Sequence, residues 1–152
     1  FPLEVSRLLA KYAVEAWQLI FEVTESSAFG HADLAASTLR KLQKMGIRIA
    51  IDDFGTGYAS YARLKSVDAD ILKIDGGFIR NIVSNSLDYQ IVASICHLAR
   101  MKKMLVVAEY VETEEIRSAV HALGIDYVQG YLIGLPAELD TLLNTQPSQE
   151  SA

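Results

Sequence analysis

Five short apolar segments, each followed by a stretch of helical periodicity, restrict this chain to folds in which helices cover a sheet. The strand-like segments are residues 17–24, 47–51, 69–75, 104–108 and 125–129. They show little of the apolar–polar alternation of a half-exposed strand. Strands of that kind are buried on both faces, as in a parallel sheet. Residues 3–16, 31–45 and 87–103 repeat apolar side chains every three or four positions, the stripe of a helix with one buried face. In the longest of them the stripe runs through Leu87, Ile91, Ile95, Leu98 and Ala99. Thr113 followed by Glu114 and Glu115 predicts the N-cap and acidic first turn of a helix that ends at Leu123 before Gly124. Gly46 is the expected stop of the second helix, a short helix is expected over 60–65, and Gly76 and Gly77 break the third strand.

A doubly wound sheet and part of a (β/α)8 barrel both have this order. The positions of the polar residues separate them. Glu22, Asp52, Lys73, Glu109 and Gln129 fall at or near the C-terminal ends of five successive strands. In a parallel barrel those ends ring one mouth, whereas an open sheet gathers its ligand groups at one switch point. The expected fold is therefore α/β, a portion of a (β/α)8 TIM-like barrel with five mainly parallel strands alternating with helices.

The densest chemistry lies in Ile49-Ala-Ile-Asp-Asp-Phe-Gly-Thr-Gly-Tyr58, where a strand runs into two adjacent carboxylates and a glycine-punctuated loop. Regular pleating would send Asp52 and Asp53 to opposite faces. Gly55 and Gly57 give the following backbone the freedom to fold back over whatever the carboxylates hold. Read alone, the stretch fits a capped strand with a solvated acidic turn equally well. Several carboxylates converging on one mouth repel one another unless cations lie among them. An all-oxygen donor set suits Mg²⁺ or Mn²⁺ rather than zinc. Two such ions form an arrangement able to cleave a phosphodiester, with Lys73 placed to hold a water or offset phosphate charge. Each of these polar residues also fits a strand-end cap or an ion-pair partner.

Composition narrows the setting. The 152 residues are 51% hydrophobic and 22% charged, which suits one globular domain with a sizeable core. A net charge of −5 argues against a nucleic acid polymer held on a basic surface. Cys96 is the single cysteine, so no disulfide framework is expected, and no apolar run approaches the roughly 20 residues that span a bilayer. A cytoplasmic location without membrane contact by this segment is the expectation. The start, Phe1-Pro-Leu-Glu, lacks an initiator Met and any signal-peptide pattern, so the chain reads as a piece of a longer polypeptide. Residues 1–144 read as the folded part and 145–152 as a polar tail expected to be disordered. His31, His97 and His121 read as packed or surface helix residues, and Arg100, Lys102 and Lys103 as a solvated helix end.

Taken in order, Phe21-Glu-Val-Thr-Glu25, Asp52-Asp-Phe-Gly-Thr-Gly-Tyr58, Leu72-Lys-Ile-Asp75, Val107-Ala-Glu109 with Val111-Glu-Thr113, and Gln129-Gly-Tyr131 resemble the successive motifs of the EAL domain, the bacterial cyclic di-GMP phosphodiesterase. The likeness covers nearly the whole chain and implies the C-terminal part of such a domain. It implies Glu22, Asp52, Asp53 and Glu109 as metal ligands, with Asp52 bridging two ions. Lys73 would contact the catalytic water, and Glu109 would alternatively serve as base. By the same resemblance Glu25 steadies the loop over the site, Gln129 lines the mouth, Glu112 is a second acidic position, and residues 54–58 link metal occupancy to a homodimer. The implied reaction opens cyclic di-GMP to a linear dinucleotide, and the implied partners include sensory or GGDEF-type domains in the parent. The family's opening Glu-Ala-Leu strand, an arginine for phosphate and an asparagine for metal have no counterpart in these residues. Tyr110 stands where the family usually has glycine, and residues 134–138 look shorter than the family's rim segment. A catalytically silent receptor for cyclic di-GMP acting through protein partners is the alternative, and a purely structural dimerisation unit a weaker third.

Overall fold

The computed structural model describes residues 1–30, 32–55 and 68–144. Helix α1 (Pro2–Tyr12) leads through a 3-10 turn (Ala16–Gln18) into β1 (Ile20–Thr24), followed by α2 (Glu25–Gly30), α3 (Ala32–Lys44) and β2 (Arg48–Phe54). Then come β3 (Ile71–Ile74), α4 (Gly76–Ile79), α5 (Ser86–Met101), β4 (Leu105–Ala108), α6 (Glu114–Ala122), β5 (Tyr127–Val128) and α7 (Leu139–Asn144). The five strands are hydrogen-bonded in chain order, and every pairing is parallel. Consecutive neighbours without a reversal of order form the wall of a barrel rather than a doubly wound sheet. The chain is thus part of a TIM-like (β/α)8 barrel.

Two apolar clusters hold the helices to the wall. Val5, Leu42, Ile47 and Ile49 tie α1 and α3 to the start of β2. The larger cluster packs α5 and α6 on β2 to β4 through Ile51, Leu72, Ile74, Val92, Ile95, Ala99, Val106 and Val120. β3 is buried at all four positions, which explains its unbroken apolar run apart from Lys73. The buried stripe of α5 is Val92, Ile95, Cys96 and Ala99, while Leu87 is exposed, so the expected stripe is out of phase at its start. This helix is apolar on more than one face, and periodicity alone does not set which face turns inward.

Caps and strand feet define the ends. Thr113 Oγ1 accepts from Ile116 N–H, and Asn85 Oδ1 accepts from Leu87 and Asp88 N–H at the head of α5. Gly76 and Gly77 do end the third strand, but they also open α4, because the Asp75 carboxylate accepts from Gly77 N–H at 2.8 Å. At the opposite, N-terminal end of the sheet, Asp70 Oδ2 accepts from Ile49 N–H and Asp126 Oδ2 from Val106 N–H, both at 2.8 Å. Each ties the foot of one strand to its neighbour at the end of a barrel where residues serve stability. His97 and His121 are exposed, as expected, whereas Arg100 is not simply solvated: its guanidinium donates to Leu123 C=O. The helix expected over 60–65 and the tail 145–152 lie outside the described residues.

Candidate active site

The site is built around one ammonium group. Lys73, the polar residue inside buried β3, lies 2.7 Å from Asp52 Oδ1, 3.0 Å from Glu109 Oε1 and 3.1 Å from Glu22 Oε2. Four neighbouring strands therefore aim side chains at one point, since Glu22 lies in β1, Asp52 in β2, and Glu109 directly after β4. The Lys73 side chain is only 8% exposed. Burial acts to lower its pKa, but the contacts with Asp52, Glu109 and Glu22 outweigh it and hold the group above its ordinary value. Burial pushes the Glu109 carboxyl up; Asp52 and Asp53 add to that rise, and Lys73 opposes it.

Asp53 joins this cluster by a break in the strand. The β2–β3 register pairs Ile51 with Leu72 and next Phe54 with Ile74, so β2 carries one residue more than its partner. Asp53 also has a left-handed backbone, with φ 54°. The expected split of the two aspartates to opposite faces is therefore wrong. Oxygen atoms of Asp52, Asp53 and Glu109 all lie within 4.8 Å of one another. Aspartate is among the few side chains that adopt this backbone region with some ease.

The loop behind the pair is anchored at its base. Gly55 has φ 109°, and its N–H donates to Glu25 Oε2 at 2.9 Å. A β-carbon at Gly55 would collide with the Phe78 ring, so both the backbone and the space call for glycine. Glu25, first residue of α2, is itself buried. Residues 56–58 lie outside the described residues. Gln129 is exposed; its backbone N–H bonds Ala108 C=O and its C=O accepts from Val111, yet among the described residues no hydrogen bond joins its side chain to the cluster. Glu112 is likewise exposed.

The donor set fits a hard divalent cation. Glu22, Asp52, Asp53 and Glu109 bring four carboxylates against the single charge of Lys73. Asp52 Oδ1 is buried and lies 2.7 Å from the Lys73 ammonium. Asp52, Asp53 and Glu109 bring carboxylate oxygens within 4.8 Å of one another, an all-oxygen donor set that a hard divalent cation would satisfy.

The profile of the EAL domain family matches residues 1–136, nearly nine-tenths of the chain. The chain belongs to the EAL domain family. The cyclic di-GMP phosphodiesterase PdeF of Escherichia coli (strain K12) is 75% identical over all of this chain, which corresponds to 20% of that protein. Across PdeF, the probable cyclic di-GMP phosphodiesterase PdeA of the same organism and PdeB of Shewanella oneidensis, the chain spans 14 to 20% of the relatives' own length. Among solved structures, the PaMucR phosphodiesterase in complex with c-di-GMP superposes with a TM-score of 0.85 at 43% identity, covering 91% of this EAL chain and 56% of that one. Klebsiella pneumoniae BlrP1 with manganese and cyclic di-GMP gives 0.80 at 32% identity over 87% of this chain and 34% of that one. No described helix of this EAL chain is long and apolar enough to cross a membrane.

Proposed function

We propose that this chain is the C-terminal part, residues 1–144, of an EAL domain that hydrolyses cyclic di-GMP to a linear dinucleotide in a cytoplasmic bacterial signalling protein. The observation that carries the reading is the convergence of Glu22, Asp52 and Glu109 on Lys73, with Asp53 turned into the same cluster by its left-handed backbone. Glu22, Asp52, Asp53 and Glu109 would hold two Mg²⁺ or Mn²⁺ ions, which activate water and steady the leaving oxygen when bound. Lys73 holds the attacking water and offsets charge on the phosphate. Glu109 would serve as one of the metal ligands or, alternatively, as the base that takes a proton from that water. One bond forms from water to phosphorus, and one from phosphorus to a ribose oxygen breaks. Gln129 would line the mouth against the nucleotide, and Glu25 hold the loop through Gly55. The PdeF and MucR likenesses support this substrate. Chromatography of cyclic di-GMP incubated with the full-length protein tests the reading: product is expected with Mg²⁺ or Mn²⁺ and none after chelation. Product formation that survives chelation, or an uncleaved substrate, would sink it.

We also place the aspartate loop, residues 54–58, in a homodimer within a parent that carries sensory or GGDEF-type domains. What supports the reading is that Gly55, two residues after Asp53, is tied to Glu25 and packed so closely on Phe78 that no β-carbon fits, which couples the metal-site strand to its surroundings. Sedimentation of the full-length protein should show a dimer whose population rises with metal. A monomer at every concentration, with or without metal, counts against it.

A further inference from the structure

Tyr110 follows the metal-site residue Glu109 and carries φ 55°, a backbone region that bulky side chains rarely occupy. Its ring nevertheless has a defined seat. Gly76, at the start of α4, lies so close beneath the ring that a β-carbon there would overlap it. The Arg80 guanidinium stacks over the ring, with Cζ 4.0 Å from the centroid. Gly76 and Arg80 are one helical turn apart, joined by the Arg80 N–H to Gly76 C=O bond. Tyr110 remains 45% exposed. The result is an aromatic plate backed by a cation, held at the C-terminal mouth one residue from Glu109, about 3.8 Å along the chain.

We propose that Tyr110 is a substrate-binding residue whose half-exposed ring stacks on a purine base of the cyclic dinucleotide. Three features point that way. The ring is fixed by Gly76 and Arg80 before substrate arrives, so little freedom is lost on binding. It directly follows Glu109, so a phosphate held beside Glu109 and Lys73 would bring a flanking base within reach of the ring. Its strained backbone would relax with glycine, so the strain accompanies a side chain that contributes something glycine lacks. Stacking of a base on an aromatic side chain supplies that contribution.

The inference rests on the proposed hydrolysis and is tested by separating KM from kcat in the full-length protein. Tyr110→Gly suits the left-handed backbone and removes the ring; it should raise KM for cyclic di-GMP by about 10-fold with kcat within twofold. Tyr110→Phe keeps the plate and should leave both constants near those of the parent. Arg80→Ala should raise KM by less than Tyr110→Gly. Equal KM for Tyr110→Gly and the parent, a loss confined to kcat, or a Phe variant as impaired as the Gly variant would each overturn the stacking role. A parent protein that hydrolyses no cyclic di-GMP would instead overturn the functional reading, and the stacking role with it.

Discussion

With Asp52→Asn in the full-length protein, hydrolysis of cyclic di-GMP is expected to fall by at least about a thousandfold, a loss of roughly 4 kcal/mol in transition-state stabilisation. The substitution keeps the shape of the side chain and removes the charge of a carboxylate proposed to hold the ions. Oδ1 of Asp52 is buried and lies 2.7 Å from the Lys73 ammonium within the carboxylate cluster, so the loss of its charge acts directly at the site. Folding should change little. Asp52 gains from Lys73 at 2.7 Å, but it also faces Asp53 and Glu109, and removing its charge relieves that repulsion while it loosens the ion pair. Two measurements separate these effects. Thermal unfolding in chelator should place the variant close to the parent, and the metal-induced rise in Tm expected of the parent should be absent from the variant. Turnover near the parental rate in saturating Mg²⁺ would remove Asp52 from the site.

The second large effect concerns the 152 residues by themselves, which are expected to show no hydrolysis. Among the described residues β1 pairs only with β2 and β5 only with β4, so the outer strands of this sheet present backbone edges. Apolar side chains gather beside those edges. Leu8, Tyr12, Trp17 and Ile20 are exposed near β1, and Tyr127, Tyr131 and Ile133 at and after β5. A closed barrel has no such edges, and a complete one runs to about 250 residues. Adding the upstream segment, covalently or as a separate polypeptide, should restore metal affinity and hydrolysis together, read as conversion of cyclic di-GMP by chromatography. Full activity from these residues alone would show that the ligand set is wrongly drawn.

Much of the site is visible in the sequence because its residues break apolar runs. Lys73 interrupts a strand that is otherwise Ile and Leu, and Glu109 ends another, so their burial at strand ends follows from pattern alone. The joining of Asp52 and Asp53 on one side does not follow, since regular pleating predicts the reverse and the extra residue in β2 shows only in its register with β3. An Asp followed closely by Gly55 is the signal that was available, both being residues at ease in left-handed backbone. Helix α2 is also hidden: Glu25-Ser-Ser-Ala has too few apolar positions to declare a period. Asp70 and Asp126 fall inside the expected strands 69–75 and 125–129 but lie just before β3 and β5, and their bonds to Ile49 and Val106 across neighbouring strands depend on a register that no local pattern specifies.

Asp53 meets two unrelated demands at one position. The backbone asks for a residue content at φ 54°, which favours Gly, Asn and Asp. The cluster with Asp52 and Glu109 asks for a negative oxygen on a short arm. Asn satisfies the first and fails the second, Glu does the reverse, and Gly supplies no ligand at all. Aspartate is the single member of both sets. The identity of this residue is therefore fixed by the intersection of shape and charge, so that neither stability nor chemistry considered alone would account for the narrowness of the choice.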